Sequence, residues 1–218
     1  MTSKLKKILI YLMKNKYFKN LETLRYEIEI SKKIENKKID KIIKWLKTRK
    51  KFDKTNIKQV GLNQLTDWNF DSKKNINHKS KQFFSVIGLK ISNAYNREVK
   101  SWDQPILNQK HGGILAILCR KRKNIIEFLL YARREPGDNA LKLCPSFSAT
   151  QSNLNKAHGG KKTKLYNLIF AKNRKLISET IHYEEGARFF QKPNKNTIIK
   201  LKKSEEKYIK DPNFIWCN

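Results

Sequence analysis

Residues able to move protons lie in the second half of the chain. Glu135 follows an apolar run and precedes a Pro-Gly turn, which favours a partly buried carboxylate acting as a general base. The alternative is that Glu135 pairs with Arg133 or Arg134 and only shapes the turn. Glu184 competes with Glu135 for the role of base.

Two further side chains are candidates for a general acid. His158 precedes two glycines, so a loop would be able to carry it to a ligand, although an exposed loop histidine has the same pattern. Tyr166 is the second candidate, and it is equally consistent with a core ring whose hydroxyl faces water.

Several common catalytic sites are excluded by their missing motifs. The chain has neither a phosphate-binding P-loop nor a Gly-x-Ser-x-Gly nucleophile elbow. Tyr183–Ala187 resembles the tail of a Nudix box, but Thr180 and Ile181 stand where that box needs an Arg-Glu pair. Metal-dependent Nudix hydrolysis is therefore rejected, while a Nudix-like fold is not. The four scattered histidines and three cysteines predict no dedicated metal site.

The formal net charge of +30 is the strongest compositional feature. It raises the possibility of nucleic-acid or anionic-membrane binding. The chain has 40 Lys but only 9 Arg, however, and the lysines are dispersed, which favours a general lysine-rich composition over a base-reading surface. A positive surface would also recruit a substrate that carries a pyrophosphate.

The elements that must position these residues follow from the apolar spacing. Residues 3 to about 52 are predicted helical, with apolar stripes beginning at Leu5, Leu21 and Ile39. After Gly61 short apolar runs predict strands. They are Phe83–Ile91 with a break at Gly88, Ile114–Cys119, Ile125–Ala132 after a turn at Arg120–Asn124, Lys175–Tyr183 and Thr197–Leu201; Leu165–Phe170 is either strand or helix. The predicted class is α+β, with N-terminal helices before a mixed, mostly antiparallel sheet.

An ordered series of short strings runs through this second region. It contains His78-x4-Phe83-Phe84-Ser85-Val86-x-Gly88, Trp102-x-Gln104-Pro105-Ile106-x-x-Gln109, Ala132-Arg133-x-Glu135-Pro136-Gly137-x-Asn139, Ala149-Thr150-x-Ser152-Asn153, His158-Gly159-Gly160, Glu184-x-Gly186-x-x-Phe189 and Lys192-x-Asn194-x-Asn196. In order and spacing the series resembles the NDP-hexose 2,3-dehydratase family from about Leu62 to Asn196. The Leu143-Cys144-Pro145 run departs from the family's usual Leu-Ser-Pro.

The resemblance implies a Nudix-like fold and a lyase of deoxysugar biosynthesis. Its substrate would be a dTDP-linked 4-keto-6-deoxy sugar, which loses the C3 proton and the C2 hydroxyl to give a 3,4-diketo-2,6-dideoxy sugar nucleotide. No cofactor is expected, because the ketone already accepts the electrons of the C3–H bond. On this basis Glu135, His158, Tyr166 and Glu184 are the candidate catalytic residues.

The resemblance also gives roles to polar and aromatic side chains that suit a nucleotide sugar. An indole would stack on the base, amides and hydroxyls would read the sugar or base, and cations would neutralise the pyrophosphate. The candidate binding residues are Trp102, Gln104, Gln109, Arg133, Asn139, Thr150, Ser152, Asn153, Arg188 and Lys192.

Family members typically carry two such modules in tandem, so the resemblance predicts a homodimer here. Residues 1–57 are expected to form a helical packing or dimerisation segment, and residues 58–218 the sugar-nucleotide domain. The short apolar run near the N-terminus and the odd number of cysteines predict a cytoplasmic protein without a membrane span. Two alternatives stay open: a non-catalytic sugar-nucleotide-binding partner of the same fold, and a basic nucleic-acid-binding module.

Overall fold

The computed structural model describes residues 16–32, 38–109, 111–157 and 159–218. The described part of the N-terminal region contains two helices, α1 (Lys16–Lys32) and α2 (Lys38–Lys50). They contain the second and third predicted apolar stripes, and the first, which begins at Leu5, lies outside the described residues. Among the described residues, no helix is both long enough and apolar enough to cross a bilayer.

Twelve strands and two short helices follow within the described part of the chain. They are β1 (Trp68–Phe70), β2 (Ile76–His78), β3 (Ser85–Ile91), β4 (Trp102–Asn108), β5 (Gly113–Arg122), β6 (Ile125–Arg133), β7 (Lys142–Pro145), β8 (Phe147–Thr150), α3 (Gln151–Leu154), α4 (Tyr166–Ile169), β9 (Lys175–Tyr183), β10 (Phe189–Phe190), β11 (Pro193–Lys200) and β12 (Phe214–Cys217). Single 3-10 turns span Leu62–Gln64 and Lys203–Tyr208.

The strands form two sheets. Sheet one has the order β1-β2-β3-β4-β10, and sheet two has the order β12-β6-β5-β11-β9, with β7 on β6 and β8 on β5. The pairs β10–β4 and β11–β5 are parallel, and the other strand pairs are antiparallel. This mixed, mostly antiparallel α+β structure confirms the predicted fold class. The Nudix-like assignment stays a prediction.

The main core lies on one side of sheet two. Leu118, Leu129, Phe147 and Ile199 are at most 2% exposed and belong to one apolar cluster. A second cluster packs Leu24 of α1 against Cys119, Ile126 and Ile177. Helix α1 therefore covers part of the sheet.

The local sequence accounts for the central hairpin. Lys123 and Asn124 both have positive φ, 47° and 63°, and Arg122 pairs with Ile125. Two consecutive positive φ values are typical of the type I′ turn that matches strand twist. The turn therefore occupies only two residues, and Arg120 belongs to β5 rather than to the predicted turn.

The prediction of a strand break at Gly88 is wrong. Gly88 pairs in register with Pro105 inside β3, so the strand continues through it. A Cβ at Gly88 would meet nothing within 4 Å, so its small size is not required there. The ambiguous segment Leu165–Phe170 contains the short helix α4.

Candidate active site

A cavity of about 540 Å³ opens where sheet one meets the start of α3. Its wall comes from β2, β3, the end of β4 with the residues after it, and α3. Side-chain amides dominate this wall: Asn75, Asn77, Gln82, Asn108, Gln109, Gln151 and Asn155. The rings of Phe83 and Phe84 add apolar surface. Amides with a few rings suit a ligand that carries many hydroxyl and carbonyl groups.

The charged members of the wall are few. Among the described residues that line the cavity, the titratable side chains are His78, Lys81 and His111, and none is a carboxylate. Among the binding residues predicted from the sequence, Gln109 and Ser152 are the two that line this cavity in the described part of the chain.

Asp71 holds two amide side chains of the cavity wall in place through hydrogen bonds. The Asp71 carboxylate accepts hydrogen bonds from the side-chain amides of Asn75 and Asn77, at 3.1 and 3.0 Å. It also accepts the backbone N–H groups of Lys73 and Asn75. Desolvation raises the pKa of Asp71, but these hydrogen bonds outweigh it and hold the pKa below its usual value. The ionised carboxylate thus orients both amides.

Glu184 belongs to a polar network at one end of sheet two. Its Oε1 accepts a 2.6 Å hydrogen bond from the Asn194 side-chain amide and lies 3.6 Å from the ammonium of Lys192. The Asn194 side-chain oxygen in turn accepts the backbone N–H of Gly113 at 2.8 Å. Lys192 is buried, with its ammonium 4.4 Å from the centre of the Phe189 ring. Because Lys192 is buried, the favourable energy of its positive charge comes from the Glu184 carboxylate and the Phe189 ring rather than from water.

Two glycines allow this network to form. A Cβ on Gly112 would lie 1.7 Å from the Pro193 carbonyl oxygen, which no side chain can tolerate. A Cβ on Gly113 would lie 3.1 Å from the Asn194 side-chain oxygen. The Gly-Gly pair therefore lets β11 and β5 start side by side.

The strand register connects this network to the cavity. Gly113 lies between Thr150 of β8 and Asn194 of β11. The hydroxyls of Thr150 and Ser152 are 2.8 Å apart, and buried Ser152 lines the cavity. Of the predicted residues, Gln109 and Ser152 therefore lie in the cavity wall, and Thr150 is hydrogen-bonded to Ser152. Glu184 and Lys192 belong to the neighbouring network at the end of sheet two.

Glu135 forms an ion pair with Arg133, as the structural alternative in the sequence analysis expected. Its carboxylate pairs with Arg133, whose guanidinium also donates to the Ser148 carbonyl. The backbone N–H of Glu135 donates to the Asp138 carboxylate at 2.9 Å, which closes the turn. Glu135 and Arg133 do not line the cavity, and a catalytic role for Glu135 stays a prediction.

Trp102 and Gln104 form a link at the other end of β4. The indole N–H donates to the Gln104 side-chain oxygen at 2.8 Å, and the Gln104 amide donates to the Ala187 carbonyl at 2.9 Å. Nearby Arg188 is exposed and 3.3 Å from Glu185. These contacts fix the β9–β10 connection to sheet one and lie outside the cavity wall.

The remaining candidates are dispersed. Tyr166 lines a different cavity, of about 520 Å³, with the Lys162 ammonium 4.1 Å from its ring centre. Asn139 is exposed in the turn before β7, and Asn153 lies in α3 but not in the cavity lining. His158 lies outside the described residues.

Sequence reasoning missed the histidines of the cavity wall. His78 opens one of the quoted strings, but it was not among the candidate catalytic or binding residues. The useful signal was the string itself, because His78 and Phe83 both contribute to the wall. For His111 the only local signal was its place beside the Gly-Gly pair.

Comparison with known proteins identifies relatives across most of the chain. A family model described as NDP-hexose 2,3-dehydratase matches residues 39–218. A dTDP-4-dehydro-6-deoxy-alpha-D-glucopyranose 2,3-dehydratase of Saccharopolyspora spinosa is 31% identical over 175 residues, covering 79% of this chain and 35% of that protein. One of the same name from Amycolatopsis orientalis is 31% identical over 162 residues, covering 71% and 34%. The chain thus spans about a third of the length of the curated relatives it matches. Because the family model covers both sheets and the cavity wall, the resemblance seen in the sequence is confirmed: the chain belongs to the NDP-hexose 2,3-dehydratase family.

Proposed function

We propose that the chain catalyses the 2,3-dehydration of a dTDP-linked 4-keto-6-deoxyhexose. The observation that carries this proposal is the family match, which extends over every element that builds the cavity. The names of the relatives supply the substrate class. The amide-rich cavity of about 540 Å³ supports it, because its size and its donors and acceptors suit a hexose.

The chemistry needs a base, electrophilic stabilisation of the ketone oxygen and a route for water to leave. The base removes the C3 proton, and the electrons of the C3–H bond move onto the C4 oxygen. The resulting enolate expels the C2 hydroxyl as water, and tautomerisation gives the 3,4-diketone. The C4 ketone is the electron sink, so the proposed step includes no redox cofactor.

We place Glu184 ahead of Glu135 as the candidate base. Neither carboxylate is among the residues that line the cavity. Glu184 is bonded to Asn194, which also accepts the Gly113 N–H, and Gly113 pairs with Thr150, the hydrogen-bond partner of the cavity residue Ser152. Glu135 instead pairs with Arg133. The ammonium of buried Lys192 lies 3.6 Å from the Glu184 carboxylate, so the two side chains form an ion pair beside this network.

We also propose that the chain associates with a second copy. Strand β9 is an edge of sheet two, and its Ile181 and Tyr183 are 66% and 71% exposed. Long edges with exposed apolar side chains favour pairing with another chain. Light scattering would then give about twice 25.8 kDa, and an Ile181→Lys variant would shift the mass towards the monomer. A wild-type monomer at micromolar concentration would contradict this.

Residues 1–57 are proposed as a helical packing element for the sugar-nucleotide domain of residues 58–218. Support comes from Leu24 of α1, which is 3% exposed and packs against Ile126 and Ile177. We also propose that the protein is located in the cytoplasm, because all three cysteines are free thiols.

The direct test is turnover of dTDP-4-keto-6-deoxyglucose by the purified chain. The vicinal diketone product would be trapped with an aromatic 1,2-diamine and detected by mass spectrometry, with a chain-free reaction as control. Tight binding of the sugar nucleotide without turnover would favour the non-catalytic partner. Salt-sensitive DNA binding without affinity for the sugar nucleotide would favour the nucleic-acid alternative.

A further inference from the structure

The ring of His78 is in contact with two aromatic neighbours. The centre of the Trp68 ring lies 5.3 Å away and that of Phe83 lies 4.4 Å away, each edge to face. His78 also pairs with Trp68 across the β1–β2 ladder. These contacts restrict the orientation of the imidazole before any ligand arrives.

Hydrogen bonds fix which nitrogen of this ring carries the proton. The backbone N–H of Ser80 donates to Nδ1 at 3.1 Å, and the Ser80 hydroxyl is 2.8 Å from the same atom. A backbone N–H can only donate, so Nδ1 is an acceptor and carries no proton. The hydroxyl can donate as well, because its oxygen accepts the Gln82 backbone N–H at 3.3 Å. The neutral imidazole therefore bears its proton on Nε2.

The ring faces a cavity that has few other polarising groups. His78 lines the 540 Å³ cavity together with the amides, and the described part of the lining contains no carboxylate. A neutral imidazole does not readily give up its remaining proton, so it is poorly suited to protonate a leaving hydroxide. It is well suited to hold a fixed N–H against an oxygen that gains negative charge.

We infer that the Nε2–H of His78 donates a hydrogen bond to the C4 oxygen of the substrate and stabilises the enolate formed there. When the C3–H bond breaks, its proton passes to the base and its electron pair moves to this oxygen. His78 keeps its own proton throughout. When the C2–O bond then breaks, the leaving hydroxide takes up the proton that the base received from C3 and departs as water, which returns the base to its starting form. This assignment rests on the proposed dehydratase function.

Two substitutions separate this role from a structural one. In His78→Asn the side-chain oxygen can still accept the Ser80 N–H, but nothing reaches the Nε2 position. In His78→Gln an amide N–H occupies roughly the Nε2 position, while the acceptor for Ser80 is displaced. We expect His78→Asn to lower kcat about 100- to 1000-fold with KM changed less than about threefold. We expect the kcat of His78→Gln to be at least about tenfold higher than the kcat of His78→Asn. A purely structural role predicts the opposite order, with Asn the milder change.

The closing experiment compares both variants with the wild type on dTDP-4-keto-6-deoxyglucose. The exposed Tyr95, in the loop between β3 and β4, provides the control, because Tyr95→Asn removes an aromatic ring outside the cavity wall and is expected to keep wild-type kcat. Exchange of the C3 proton in D₂O, followed by NMR, is a second readout, and it should fall together with elimination in His78→Asn. Near-UV circular dichroism establishes that each variant is folded.

The outcomes are distinguishable. A wild-type chain without turnover or C3 exchange overturns the dehydratase proposal and this assignment with it. An active wild type with a folded, fully active His78→Asn overturns the His78 assignment alone. A folded His78→Gln that is less active than His78→Asn overturns it as well. Normal C3 exchange with lost elimination in His78→Asn would move His78 to the leaving hydroxyl and overturn its placement at the C4 oxygen.

Discussion

The two sheets of this chain differ sharply in how they are buried. Sheet two contains side chains such as Leu118, Leu129 and Phe147, which are at most 2% exposed. In the strands of sheet one, all of which lie in the described part of the chain, Ile106 alone is buried, at 4%. Sheet one and the loops that join its strands instead supply most of the cavity wall. The buried core and the candidate cavity therefore lie in different parts of the molecule.

The connection between the sheets explains how they work together. After β9 the chain leaves sheet two, pairs β10 with the end of β4, and returns as β11. The backbone N–H of Leu107 donates to the Arg188 carbonyl at 2.9 Å within this connection. A thin, lightly buried sheet can adjust to a ligand at low cost, provided that a rigid sheet anchors it.

The largest expected effect is the loss of a core side chain from sheet two. Leu118→Ala should lower the free energy of unfolding by about 3–5 kcal/mol, because Leu118 is fully buried and the cavity left behind cannot collapse. The matched change in sheet one, Leu89→Ala, should cost less than about 1.5 kcal/mol, since Leu89 is only half-buried. Urea unfolding of both variants measures the difference. Equal losses would contradict the division between the sheets.

The same difference in burial determined which strands were predictable. β5 and β6 were recognised because buried strands give continuous apolar runs, as in Ile114–Cys119 and Ile125–Ala132. β1 and β2 have three residues each, with an asparagine at the centre, so they carry no apolar period. Their existence depends on the pairing of β1 with β2 and of β2 with β3, which is not encoded locally.

The candidate site was predictable by residue type more than by position. Gln109 and Ser152 were named, and both line the cavity. Glu135 was favoured from its place before a turn, but its pairing with Arg133 depends on where two side chains point at the end of β6. His78 was missed because its place in the cavity wall depends on the pairing of β2 with β1 and β3, which the local sequence does not show.

A smaller effect should appear in ligand binding without any change in stability. Gln109→Ala should weaken binding of a dTDP-sugar roughly tenfold, the equivalent of about 1.4 kcal/mol for one lost hydrogen bond. Its unfolding free energy should stay within about 0.5 kcal/mol of the wild type, because the residue follows β4 outside the core. Titration calorimetry and urea unfolding give the two quantities. Asn139→Ala, an exposed residue outside the cavity, is the control and should bind normally.

The smallest expected effect tests whether α1 belongs to the stable sheet. Glu27 of α1 accepts hydrogen bonds from Lys200 on β11 at 2.8 Å and from Lys121 on β5 at 3.2 Å. Desolvation raises the pKa of Glu27, but these lysines outweigh it and lower the pKa below 4.5. A lowered folded pKa stabilises the protein above the unfolded value, and that stability is lost as pH falls through the folded pKa.

Glu27→Gln should therefore cost about 1 kcal/mol at pH 7, and the cost should shrink as the pH falls below the ordinary pKa of a glutamate and through the lowered pKa of Glu27. Glu22→Gln on the same helix is the control, because its ion pair with Arg25 spans 3.9 Å between exposed side chains and should contribute under about 0.5 kcal/mol. Urea unfolding at several pH values measures both variants. If Glu27→Gln behaved like Glu22→Gln at neutral pH, α1 would be an appendage on sheet two. A cost that disappears only in acid would instead make the helix part of the rigid region that holds the cavity in place.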